Sequence, residues 1–188
     1  MGKTTGFLVS SRPCRVMFED EARFGRLMEP RACWAPYPMR PVVPKGFVRE
    51  YIYAYTAASP MNGRIDFTIQ PFLDTQNVNH FLQYLSAQHS NEEVILVWDG
   101  ARAHTSDEVK MPSNIYPILL PPRSPRLNPV ELFWGELREK FFHNFIFDSL
   151  VSLIDYLTLA LCSFKQEKQI LKKLLGFDWI NNAILNTI

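Results

Sequence analysis

Residues 94–100 read VILVWDG, five apolar residues in a row that stop at an aspartate and a glycine. An uninterrupted run of that length is the pattern of a strand buried on both faces, and such strands belong to sheets covered by helices on each side. Asp99-Gly100 closes the run as a turn closes a strand. The run therefore predicts a central strand of an α/β sheet, with a carboxylate at its C-terminal end.

Working outward, the flanking segments supply the rest of that sheet. Downstream, IYPILL at 115–120 reads as a second buried strand. Asn128 then reads as an N-cap, with Pro129 at the first position of a helix to about residue 142. Leu150, Leu153, Ile154, Leu157, Leu161 and Phe164 recur at helical spacing, and a last short helix spans about 178–185. Upstream, Asp74 or Thr75 caps a helix to about residue 89, with Val78, Phe81, Leu82 and Leu85 as its buried stripe. Residues 64–70 alternate apolar and polar, 51–57 are aromatic and β-branched, and Asn62-Gly63 marks the turn between them. RVMFED at 15–20 is a short strand with apolar residues on both faces, and Gly25 punctuates the chain soon after it. Residues 31–46 hold Pro36, Pro38, Pro41 and Pro44, after Pro30, and read as a hairpin arm or irregular loop. Three strands, a helix, a strand, a short segment, a strand and helices predict a mixed five-stranded sheet flanked by helices. The strands ending at Asp20 and Asp99 are expected to be neighbours.

Composition bounds the rest. The 188 residues suit one domain, and 47% hydrophobic with 21% charged residues is ordinary for a globular chain. A formal net charge of +1 excludes DNA binding by bulk charge, so any nucleic-acid contact must be local. Cys14, Cys33 and Cys162 are odd in number and widely spaced, which predicts neither a disulfide framework nor a structural zinc. The N-terminus lacks a long apolar stretch, its Met-Gly start only faintly resembles an acylation site, and Asp155 interrupts the most apolar segment. No membrane association is expected, and a reducing cytoplasmic setting is. The expected division is a tail at 1–14, a catalytic domain at 15–145, and C-terminal helices at 146–188 packed on that domain.

Three carboxylates decide the functional reading. Singly, Asp99 is a turn residue, Asp20 a solvated strand end, and Glu131 a capping-box glutamate three residues after Asn128. Jointly, two lie at the C-terminal ends of apolar strands, the edge at which open α/β sheets bind ligands. The third enters from the first turn of a later helix. Converging carboxylates are the donor set of hard divalent cations, and paired cations about 3.5–4 Å apart clamp the oxygens of a phosphodiester.

MFEDEARFGR at 17–26, VWDGARAHTS at 97–106 and LLPPRSPRLNPVELFWGELREKF at 119–141 resemble the three signature blocks of mariner-superfamily transposases, DDE endonucleases of the insertion-sequence-630 type. The resemblance spans about residues 15–142 and implies a ribonuclease H-like fold. It selects Asp20 within the Glu19-Asp20-Glu21 run, with Asp20 bridging two Mg²⁺ or Mn²⁺ ions and Asp99 and Glu131 holding one each. It implies DNA cleavage at transposon ends, strand transfer into target DNA, and a homodimer in the active complex. His104, Arg123, Arg126 and Arg23 are the expected DNA contacts. Arg26, Arg31, Arg40, Lys45 and Arg49, around the arm, are either ordinary surface or a track for a DNA backbone. Trp34 and Trp134 are expected to be packing residues, and Lys172-Lys173 a solvated helix face. Nineteen residues before Asp20 leave no room for the family's helix-turn-helix region, so the chain is expected to be a half whose helix-turn-helix part is separately encoded, a truncated copy, or an isolated domain. The resemblance also implies a prokaryotic, nucleoid-associated setting. The alternatives are an inactive or domesticated relic that only binds DNA or dimerises, and a structure-selective nuclease or ribonuclease H.

Overall fold

A computed structural model of the chain describes residues 11–26, 34–40, 42, 48–143 and 145–185. In order these form β1 (Cys14–Gly25), β2 (Tyr51–Ser59), β3 (Arg64–Gln70), α1 (Thr75–Gln88), β4 (Glu93–Trp98), α2 (Arg102–Thr105) and β5 (Ile115–Leu119). A 3₁₀ turn at Pro125–Leu127 leads into α3 (Val130–Phe141), α4 (Leu150–Gln166), α5 (Lys168–Leu175) and α6 (Asp178–Leu185). The strands make one sheet in the order β3-β2-β1-β4-β5. β1, β2 and β3 form the antiparallel meander, and β4 and β5 join it in parallel.

β4 is central and buried at all six positions, as its apolar run requires. Strand alternation sorts side chains onto two faces. Met17, Tyr55, Val94, Leu96 and Trp98 pack on α1 through Val78, Phe81, Leu82 and Leu85. Phe18, Ala22, Phe24, Ile95 and Val97 pack on α3, α4 and α5 through Phe133, Trp134, Leu137, Leu157, Phe164 and Leu171. The second face is aromatic: Phe24 meets Trp134 edge-on at 5.9 Å, and Phe133 meets Phe164 at 5.4 Å. Fully burying each such side chain contributes about 1.5–3 kcal/mol. The β2–β3 turn needs Gly63, whose φ is +62° and whose Cβ position lies 2.1 Å from the Lys168 carbonyl oxygen.

Beside these cores runs an ionic chain. Arg15 bonds Glu92 through Nε at 2.6 Å, and His89 joins Glu92 at 2.6 Å to Asp66 at 3.0 Å. Lys165 reaches the same Asp66 at 3.2 Å, so β1, β3, the α1–β4 turn and α4 are tied together. Burial alone would raise the Asp66 carboxyl, but His89 and Arg64 hold it well below the carboxylate range.

Several sequence expectations change. β1 does not end at Asp20 but runs on to Gly25, because β2 pairs with it as far as Tyr51. β5 is an edge strand, with Ile118 and Leu119 more than half exposed, rather than a second buried strand. Pro117 fits there, since an edge tolerates a missing amide donor. Trp34 is fully exposed rather than packed, whereas Trp134 is core. Half of the proline-rich segment at 31–46, with Arg31, Cys33 and Lys45, lies outside the described residues. Cys14 and Cys162 are free thiols. No described helix is long and apolar enough to cross a membrane.

Candidate active site

The parallel pairing of β1 with β4 ends at Phe18 opposite Val97. Two residues further along each strand come Asp20 and Asp99, so alternation puts both carboxylates on the α3 side of the sheet. There β1 has lost its neighbour on one flank, and the gap opens a pocket. Its lining includes Asp20, Asp99 and Glu131, together with Gly100, Arg123 and Asn128.

Asn128 fixes the third carboxylate. Its Oδ1 accepts the Val130 amide at 3.1 Å, which is N-capping in function although the assigned helix begins one residue later than expected. Its Nδ2 donates to the Glu19 carbonyl at 2.8 Å, which ties the start of α3 to β1 beside Asp20. The capping-box reading of Glu131 loses its partner, because the Asn128 amide donates to Pro125 instead.

The field in the pocket is negative. Burial, then the charges of Glu131, Glu21 and Asp99, push the Asp20 carboxyl up to about 8 against one lowering bond from the Glu21 backbone. A carboxyl that burial and acidic neighbours keep from ionising at neutral pH is a donor awaiting positive charge.

On the opposite face, directly behind, lies a second acidic group. Glu19 and Glu21 have the other parity in β1 and point toward His104 of α2. His104 Nδ1 lies 2.9 Å from Asp99 Oδ1, and its Nε2 lies 2.9 Å from Glu21 Oε1. The ring stacks on Trp98 with centroids 4.5 Å apart. The Ala101 amide also donates to Asp99 Oδ1, at 2.9 Å. One oxygen of Asp99 is thus held twice, which orients the other. Burial would lower the His104 pKa, but its bond to Glu21 and the fields of Glu21 and Asp99 outweigh that and raise it. Burial, with Glu21, Asp20 and Asp99, pushes Glu19 well above the carboxylate range, which favours its neutral form. Ligand atoms of Glu19, Glu21 and His104 lie within 4.8 Å of one another, a spacing that fits a cation. The raised pKa of His104 favours a charged imidazolium there.

The expected DNA contacts separate accordingly. His104 is only 5% exposed and both ring nitrogens are engaged, so it is an internal bridge and not a phosphate contact. Arg23 has the parity of Glu21 and lies over the Tyr51 ring at 5.3 Å, on the face away from Asp20. Arg123 lines the pocket in the left-handed conformation, φ 58°, with its side chain exposed. Arg126 is exposed on the 3₁₀ turn. The bridging roles of Asn128 and Glu21 escape a reading of the sequence, although the alternation Glu19–Asp20–Glu21 already assigns the outer two to the far face.

His104→Ala is expected to cost about 3–5 kcal/mol of folding stability, because it strips the cation from buried carboxylates. The folded His104 pKa is raised, so its contribution is full below the unfolded value of about 6.5 and fades as pH rises through the folded pKa. The destabilisation, read from urea unfolding, should therefore be larger at pH 6 than at pH 9. A pH-independent loss contradicts this account.

Residues 15–154 match the family model described as DDE superfamily endonuclease. A Sinorhizobium fredii protein, y4pE/y4sA, is 30% identical over 111 residues, covering 58% of this chain and 82% of that protein. The Mos1 transposase paired-end complex with left transposon end superimposes with a TM-score of 0.62 at 14% identity, over 86% of this chain and 53% of that one. The Mos1 strand transfer complex gives 0.63 at 13% identity, over 86% and 52%. The Mos1 mariner paired-end complex with Mn gives 0.58 at 14% identity, over 86% and 54%. The chain thus spans about half the length of these solved structures.

Proposed function

The chain belongs to the DDE superfamily endonucleases, its fold is ribonuclease H-like, and from that premise we propose that it is the catalytic domain of a DNA transposase, cutting DNA at transposon ends and transferring the freed strand to target DNA. The observation that carries the proposal is the convergence of Asp20, Asp99 and Glu131 on one pocket at the β1/β4 edge.

The donor set fits a divalent ion: three carboxylates, one of them pushed up to about 8 by burial and by the charges of its neighbours. Mg²⁺ or Mn²⁺ would be held by Asp20, Asp99 and Glu131, and we assign two ions to that donor set. Bound there, divalent ions supply the positive charge that stabilises a phosphodiester under attack. Solved Mos1 complexes with Mn and with Mg support the choice of ions. The chain's own residues do the orienting. His104 and the Ala101 amide fix one oxygen of Asp99, and Asn128 sets Glu131 against Asp20. Arg123, with Arg126 at the rim, draws the DNA backbone to the pocket. Water attacks the scissile phosphorus and breaks its bond to the 3′-oxygen, leaving a 3′-hydroxyl and a 5′-phosphate. That 3′-hydroxyl then attacks a target phosphodiester in the same site and displaces the target's own 3′-oxygen.

Reading the transposon ends falls to a helix-turn-helix region outside these 188 residues, in the same or a separately encoded chain, and two copies act together on paired ends. In a prokaryotic cell the complex works at the nucleoid.

Mg²⁺ or Mn²⁺ is expected to raise the thermal midpoint, by about 2.7 kcal/mol of stability at a hundred times Kd. Glu131→Gln and Asp99→Asn should each lose most of that gain. A chain indifferent to both ions would be an inert relic. Cleavage of RNA–DNA hybrids in preference to duplex ends would favour a ribonuclease H.

A further inference from the structure

Arg138 is a charged group close to the pocket that the mechanism above leaves unused. It lies seven residues after Glu131 on α3, two turns along and on nearly the same face. Its guanidinium sits over the Phe24 ring at 5.2 Å, and Phe24 shares the β1 face of Asp20. Helical side chains lean toward the N-terminus, so Arg138 leans toward Glu131. Burial lowers its pKa while the fields of Glu131 and Asp20 raise it, and the guanidinium remains charged.

Arg138 nevertheless forms no ion pair with either carboxylate. Its guanidinium rests on the Phe24 ring, and among the described residues no acceptor is paired with its donors. A counter-ion for Glu131 would close to salt-bridge distance. A mere cover for Phe24 would not need a charge within the field of two carboxylates. What the position offers is a planar fork of donors on the Asp20 face of β1, on a residue whose Cα stands about 10 Å of helix rise beyond that of Glu131. A nucleic-acid strand crossing the pocket presents its next phosphates on that scale, and a guanidinium fork suits phosphate oxygens bidentately.

We propose that Arg138 is a DNA-phosphate contact: it binds a backbone phosphate of the cleaved strand one or two nucleotides from the scissile one, and so sets the register of the strand in the pocket. The inference rests on the transposase reading and adds a binding residue to it.

The test is duplex DNA binding by the full chain in EDTA across a salt series. Arg138→Met keeps a stem over Phe24 and removes the charge. The slope of log K against log salt should fall by about one, the value of one phosphate contact, while Arg138→Lys keeps the wild-type slope. An unchanged slope in a folded Arg138→Met overturns the proposal. If Arg138→Met does not fold, wild type and Arg138→Lys are compared on duplexes with one neutral methylphosphonate linkage walked along the strand. Their affinity ratio should collapse toward one at a single position, and a ratio constant at every position overturns the proposal. Wild-type protein that binds no duplex at all sinks the transposase reading as well. Cleavage lost in Asp99→Asn, alongside an unchanged Arg138→Met slope, sinks this inference alone.

Discussion

Asp20→Asn, Asp99→Asn and Glu131→Gln are each expected to reduce divalent-metal-dependent DNA cleavage on the order of 10³-fold or more while leaving the fold intact. An amide keeps the shape of the carboxylate but loses the charge that a hard cation requires. A factor of 10³ corresponds to about 4 kcal/mol of transition-state stabilisation. The fold should survive because none of the three is a core residue. Asp99 is exposed, Glu131 lies on the open side of α3, and Asp20 borders the pocket. Glu21→Gln should act through His104 and be milder, since Glu21 faces away from the pocket and touches Asp99 only across the imidazole. The assay is nicking of a labelled transposon-end duplex in Mn²⁺, with a DNA-reading region supplied. Glu131→Gln is the sharpest member of the set. Glutamine serves a capping box as well as glutamate does, so near wild-type cleavage by that variant would remove Glu131 from the site and end the three-carboxylate mechanism.

Without metal, Asp20→Asn is expected to stabilise the chain at pH 8 by about 2 kcal/mol, and by little at pH 4. An Asp20 carboxyl at about 8 in the folded state holds a proton that the unfolded chain, near 3.8, has released. Between those values the folded state binds more protons, so stability falls as pH rises from about 4 to about 8. The full shift corresponds to an upper bound on the order of 5 kcal/mol, and screening by solvent at the open pocket reduces it. Urea unfolding in EDTA at both pH values checks the difference between wild type and variant. That comparison cancels the similar slope contributed by His104, whose folded pKa is also raised. An equal effect at both pH values would exclude the strained carboxylate cluster. Adding Mg²⁺ should reverse the ranking at pH 8, because the ion then uses the charge that asparagine lacks.

Much of the fold is legible before any coordinates because strand and helix periodicities are local. VILVW can satisfy its apolar side chains only in a central strand, and β4 is one. The stripe of Val78, Phe81, Leu82 and Leu85 can only bury one helix face, and α1 buries it. IYPILL looks equally apolar, yet β5 is an edge strand with exposed Ile118 and Leu119. A strand's rank in the sheet order depends on partners elsewhere in the chain, and only Pro117 hinted at it. The length of β1 was hidden for the same reason, since its second half is maintained by pairing with β2.

The sequence by itself singled out three carboxylates, which line one pocket, and the kind of sheet that carries them, because signature spacing and strand alternation are encoded residue by residue. Only the tertiary structure decided how they are held. The register that puts Asp20 level with Asp99, the Asn128 side chain that ties α3 to β1, and the burial of His104 between Asp99 and Glu21 are contacts between residues up to about a hundred positions apart. So is the seat of Arg138 over Phe24. Such contacts exist only once the sheet has closed its order and α3 has packed upon it, since chain folding, not local preference, brings those groups within reach.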